Sequence, residues 1–290
     1  MDVYGFFIAP FADYAFMRRA LLGGLLIAAS AGPIGVFLML RRMSLTGDAM
    51  AHAILPGAAL GFLIFGLELV PMTLGGLLAG ALVAAGAGFV ARMTVQKEDA
   101  AMAAFYLISL ALGVMIVSLR GSSVDLMHVL FGSVLALTQE SLIMIAGIAV
   151  VSLVCLATIW RALVAECLDP GFLRSVSSWG PLVHFMFLAL VVLNLVAGFQ
   201  ALGTLLSVGL MILPAAAARF WVRRVLSLCV LAVAIGAASV LVGLLISYHG
   251  AIASGPSVIL AAGFAYFASL LFAPRGLVRS HLPTRRHKIA

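Results

Sequence analysis

The sequence predicts an all-α integral membrane protein, a polytopic bundle of eight or nine transmembrane helices, and three observations carry that expectation. Of its 290 residues 64% are hydrophobic and only 9% charged, against about 25% charged in a soluble domain, which excludes a water-soluble fold. Apolar stretches of about 20 residues recur from Ala20 to Ala273, each long enough to cross a hydrocarbon core of roughly 30 Å as a helix. Long apolar runs such as Leu182 to Val196 lack the alternation that a transmembrane β-barrel requires.

Taken in order, the spans fall near 20–40, 48–68, 72–91, 99–118, 140–160, 181–199, 202–218, 225–247 and 255–273. The apolar segment from Ser122 to Leu137 is short for a span and is expected to be re-entrant or external. With the N-terminus outside and the C-terminus cytoplasmic, fourteen of the seventeen basic residues fall in cytoplasmic segments; Arg18, Arg19 and Arg120 do not. The net charge of +7 therefore reports topology, and nucleic acid is not expected as a partner. No removable signal peptide is expected, because the basic pair Arg18 and Arg19 leads into a span without a small-residue cleavage site. The chain is expected to be one membrane domain over 1–290, with a polar stretch at 161–179 outside the bilayer and a basic cytoplasmic tail at 275–290. The three cysteines lack close spacing and read as packing residues. Gly57 and Gly61, and Gly76 and Gly80, have the spacing that lets membrane helices approach closely.

Ionisable side chains inside an apolar helix are costly, so each calls for a partner or a use. Asp48 and His52 stand four residues apart in G-D-A-M-A-H-A-I-L-P-G, on one helix face with Cβ atoms roughly 5–6 Å apart. One divalent cation can touch both, and a carboxylate oxygen with an imidazole nitrogen suits zinc or manganese better than copper(I). Pro56, four residues further, brings no N–H to the His52 carbonyl, so that carbonyl is either a further oxygen ligand or the place where the helix bends. The competing reading has Asp48 capping a helix N-terminus and His52 hydrogen-bonding to a neighbouring helix. Asp125 with His128, and His249, are weaker candidates for an outer mouth, whereas His184 and Asn194 read as cross-helix hydrogen-bonding groups. Glu68, Glu98 and Asp99 read as solvated helix ends.

There is no G-x-x-x-x-G-K-[ST] phosphate loop, no H-E-x-x-H pair and no G-x-S-x-G turn. The chain is not expected to be an enzyme; active transport would draw on an ion gradient or a separate ATPase. The polar stretch R-A-L-V-A-E-C-L-D-P-G-F-L-R-S-V-S-S-W, from Arg161 to Trp179, reads as a docking segment outside the membrane.

At these residues the chain resembles the permease family of bacterial ABC importers for zinc, manganese and iron. The most specific block is R-R-M-S-L-T-G-D-A-M-A-H-A-I-L-P-G at Arg41 to Gly57, supported by V-D-L-M-H-V-L-F-G at Val124 to Gly132, G-T-L-L-S-V-G-L-M-I-L-P-A-A-A-A-R at Gly203 to Arg219 and S-G-P-S-V-I-L at Ser254 to Leu260. The resemblance implies a pore of two permease copies in the inner membrane, separate ATP-hydrolysing subunits, and an extracytoplasmic binding protein that delivers the metal. It assigns metal contact to Asp48 and His52, the hinge to Pro56, and ATPase docking to Glu166, Asp169, Pro170, Gly171 and Arg174. No cofactor is expected to stay bound; the divalent metal is the cargo, with zinc ranked first, manganese next and ferrous iron third. Ala251 and Ala253 depart from the family loop before S-G-P, which leaves no outer-gate role expected there. Because imidazole binds metal only when neutral, transport is expected to fall on acidification. The alternatives are a gradient-driven secondary metal transporter and an ABC permease for a metal chelate.

Overall fold

A computed structural model describes residues 3–66, 68–118, 137–168 and 180–278, and every regular element among them is helical. The short helices α1 (Val3–Phe7) and α2 (Ala9–Asp13) lead into α3 (Ala15–Leu40). Then come α4 (Ser44–Ala53), α5 (Leu55–Phe65), α6 (Leu69–Met93), α7 (Glu98–Ser118), α8 (Gln139–Leu168), α9 (Gly180–Leu202), α10 (Thr204–Arg219), α11 (Val225–Gly250) and α12 (Ser254–Phe272). Eight stretches are long and apolar enough to cross a membrane, with Ser44–Phe65 counted as one, while α10 is a shorter apolar helix. Glu68 and Glu98 lie at the starts of α6 and α7, as expected of helix ends. The segment 119–136, with Asp125 and His128, lies outside the described residues, as do 169–179 and 279–290.

The sequence has apolar side chains all round its helices, so burial is decided by neighbours and not by amphipathic faces. Helices α3 and α9 are mostly buried, whereas α7 and α12 turn residues such as Leu107, Ile108, Leu260 and Phe264 outward. Lipid is as apolar as leucine, so helices associate through close packing and hydrogen bonds. Gly35 of α3 rests on the Met211 backbone of α10, and Gly57 and Gly61 of α5 rest on the Gly75 and Pro71 backbones of α6; a Cβ at any of these would collide. Gly76 and Gly80 serve a related purpose, admitting the side chains of Ile54 and Val192. Between α8 and α9, the Asn194 amide donates to Ser152 Oγ at 2.7 Å and to the Leu190 carbonyl at 2.9 Å, the cross-helix role expected of it.

The link from α3 to α4 is a tight reversal. Met43 N–H bonds to the Leu38 carbonyl at 2.8 Å and Arg42 N–H to the Met39 carbonyl at 3.1 Å, the paired bonds of a Schellman end. That motif places its turning residue in the left-handed region, and here it is Arg42, at φ 61°, where glycine is the usual occupant. The turn is seated by Gly47, whose position lies within contact of the Met211 and Leu38 side chains.

Candidate functional site

Asp48 is the fifth residue of α4, and no side chain caps that helix. The capping alternative for Asp48 is therefore not realised: the helix begins a turn earlier, at Ser44, because the Schellman reversal already sets the chain's direction. His52 Nε2 lies 3.9 Å from Asp48 Oδ1, with the histidine side chain 34% exposed and the aspartate 63%. The two share an uncovered stripe with Leu45 and Leu55, while Met50, Ala53 and Ile54 on the other side are buried. At 3.9 Å the two groups are too far apart for a hydrogen bond to each other. Nδ1 of His52 is buried and, among the described residues, has no hydrogen-bond partner.

The helix is interrupted at Ile54, two residues before Pro56. Ile54 N–H still reaches the Met50 carbonyl at 3.2 Å, and Pro56 opens α5, where a missing N–H is tolerated. Helix α7 braces this break from the side, a support that sequence reasoning did not find. Tyr106 stacks near the His52 ring with centroids 6.3 Å apart, Ser109 Oγ donates to the Ala53 carbonyl at 3.0 Å, and Gly113 lies against Pro56. Their spacing of three and four residues on one face of α7 is the signal that was available.

The other candidates are not brought to this pair. His249 is exposed in the last turn of α11, packed edge-on against Tyr248, whose ring meets Tyr14. Glu166, in the last turn of α8, points inward: its Oε1 is 2.7 Å from Arg41 Nη2 and 3.9 Å from His184 Nδ1. Asp169, Pro170, Gly171 and Arg174 lie outside the described residues, as do Asp125 and His128. Among the described residues no group of three or more His, Cys, Asp or Glu side chains comes together. Asp48 and His52 therefore stand together as two potential donors.

The profile of the ABC 3 transport family matches residues 13–273, nine-tenths of the chain. The chain belongs to the ABC 3 transport family. It is similar to the manganese import system permease protein ScaB of Streptococcus parasanguinis, 32% identical over 95% of this chain and 97% of that one. It also resembles the chelated iron transport system membrane protein YfeC of Yersinia pestis, 29% identical over 96% of this chain and 93% of the relative. A solved structure of PsaBC from Streptococcus pneumoniae in complex with Fab superposes with a TM-score of 0.83 at 30% identity, covering 95% of this chain and 97% of that one. The chain is accordingly a multi-pass permease subunit of an ABC importer that takes up metal, and ATP hydrolysis belongs to a separate subunit.

Proposed function

We propose that this subunit forms half of the pore of a manganese importer, and that Asp48 and His52 of two facing copies make the intramembrane metal site. The observation that carries this reading is the open stripe on α4: a carboxylate 63% exposed on a membrane helix cannot face lipid cheaply, so that face lines water or a second copy. Two ligands hold a divalent ion weakly, and a second copy would raise the set to four nitrogen and oxygen donors, a set that manganese and zinc both accept. Manganese stands ahead of zinc because of the relative named for manganese import; zinc and ferrous iron remain candidate cargoes of the same site.

In the proposed cycle an extracytoplasmic binding protein delivers the ion, two ATPase subunits dock on the segment that follows Glu166, with Asp169, Pro170, Gly171 and Arg174, while Glu166 itself is turned inward to Arg41, and their closure rocks the pore. The N-terminus lies outside and the basic tail inside, in the bacterial inner membrane. Pro56 is the hinge: the interruption at Ile54 lets α4 tilt against α5 while Tyr106 and Ser109 keep α4 seated on α7. Loose ligation suits transport, since an ion held tightly would not leave.

Uptake of manganese, zinc and ferrous iron into vesicles holding the chain, its ATPase and its binding protein tests the reading. Manganese is expected to be carried fastest, and Asp48→Ala and His52→Ala are each expected to abolish uptake. If both variants transport at the wild-type rate, the site assignment is wrong. The relative named for chelated iron favours a second reading, in which the cargo is a chelate; uptake of chelated iron in preference to free ions would select it.

A further inference from the structure

Three charged or titratable side chains from three helices meet in a buried pocket away from the proposed metal pair. Arg41 caps the C-terminal end of α3, Glu166 sits in the last turn of α8 and His184 in the first turns of α9. Arg41 Nη2 donates to Glu166 Oε1 at 2.7 Å and lies against His184 Nδ1. The guanidinium lies 5.1 Å from the centroid of Phe187, and the three side chains are only 9–13% exposed.

The pocket is not built for stability. Arginine and carboxylate can make two parallel bonds, but here Arg41 Nη1 and Glu166 Oε2 are buried and, among the described residues, without hydrogen-bond partners, which costs more than a closed fork would. Replacing such a cluster with apolar side chains is often neutral or stabilising, so its presence asks for a use. Its position supplies one. Glu166 is two residues before the end of α8, where the chain runs on to 169–179, and Arg41 adjoins the strained Arg42 turn, seven residues before Asp48.

We propose that Arg41, Glu166 and His184 are positioning residues that join the ATPase-docking end of α8 to the α3–α4 reversal, so that movement at the docking segment re-aims α4 and its Asp48. The unused arm of the arginine fork is the capacity for a second pairing, one bond in one state of the pore and two in the other. A Schellman reversal has little freedom of its own, so a displacement of Arg41 passes to Ser44 and along α4. This inference rests on the proposed docking role of the segment that follows α8.

The test measures manganese uptake and ATP hydrolysis in the same vesicles of the complete complex. Glu166→Gln keeps the shape and an acceptor for Arg41 but removes the charge; uptake per ATP is expected to fall by about 5-fold or more while hydrolysis persists at the wild-type rate. The exchanged pair Arg41→Glu with Glu166→Arg is expected to recover part of the ratio. His184→Gln, which leaves the ion pair in place, is expected to lower the ratio in the same direction and decides the matter should Glu166→Gln fail to assemble. An unchanged ratio in the assembled variants, or uptake and hydrolysis falling in proportion, overturns the proposal. Replacing 169–178 with a Gly/Ser chain separates the two readings: if the ATPase still copurifies, the docking assignment fails whatever the ratio does.

Discussion

Glu166 with His184, and Asp48 with His52, each set a carboxylate 3.9 Å from an imidazole nitrogen, yet the molecule treats them differently. The first pair is closed by an arginine inside the helix packing; the second stands half open on a stripe of α4, and among the described residues no arginine or lysine pairs with it. In the first, a guanidinium of the protein itself supplies the positive charge beside the carboxylate. An acid and a histidine near each other are thus not by themselves a metal site: what decides is whether the fold has already supplied the positive charge.

The largest expected effect breaks the closed group. Arg41→Ala leaves Glu166 buried and uncompensated, and is expected to cost about 3–5 kcal/mol of stability, read as a lower melting temperature in detergent. The triple replacement Arg41→Met, Glu166→Leu, His184→Leu removes every charge together and is expected to regain that stability without regaining uptake. Should the triple variant transport like wild type, the closed group is packing alone.

The open pair is expected to respond the other way. Asp48→Asn with His52→Gln keeps size and replaces a carboxylate and an imidazole with weaker amide ligands, so uptake is expected to fall on the order of 100-fold while stability moves by no more than about 0.5 kcal/mol. A large loss of melting temperature in this variant would mean that the pair holds the fold and that its openness misleads.

The strain beside the closed group gives a third comparison. Arg42 is held at φ 61°, and Arg42→Gly relieves that cost while adding some chain entropy, for a net gain of about 0.5–1 kcal/mol in melting measurements. If the reversal must stay stiff to carry movement from Arg41 to α4, the same variant is expected to lower uptake per ATP although it is more stable. An unchanged ratio would restrict the joint to the side chains of the buried cluster.

How far these groups were legible in the sequence follows from the range of the forces involved. The spans, the helical class and the Asp48–His52 face depend on hydropathy and on four-residue spacing, which are local, and each could be read directly. Arg41 read as one more cytoplasmic base and Glu166 as a docking residue, because 125 positions separate them and nothing local announces the pair. His184 was expected to find a cross-helix partner, and it did, but which partner is a property of how α3, α8 and α9 pack. The bracing of α4 by Tyr106 and Ser109 showed in the sequence only as a spacing along α7, with nothing local to say which helix that face would meet.

The smallest expected effect lies at Asn194, which shares with the closed group its burial and cross-helix contact but carries no charge. Asn194→Leu removes the 2.7 Å bond to Ser152, and in membranes such bonds average about 0.6 kcal/mol. The cost stays low because the Ser152 hydroxyl, left behind, can turn to a carbonyl of its own helix, an escape that Glu166 lacks when Arg41 is removed. Uptake per ATP is expected to be unchanged, since the bond joins α8 to α9 without reaching the α3–α4 reversal. If Asn194→Leu lowers that ratio as Glu166→Gln is expected to, coupling runs through the whole α8–α9 contact and not through the charged cluster at its end.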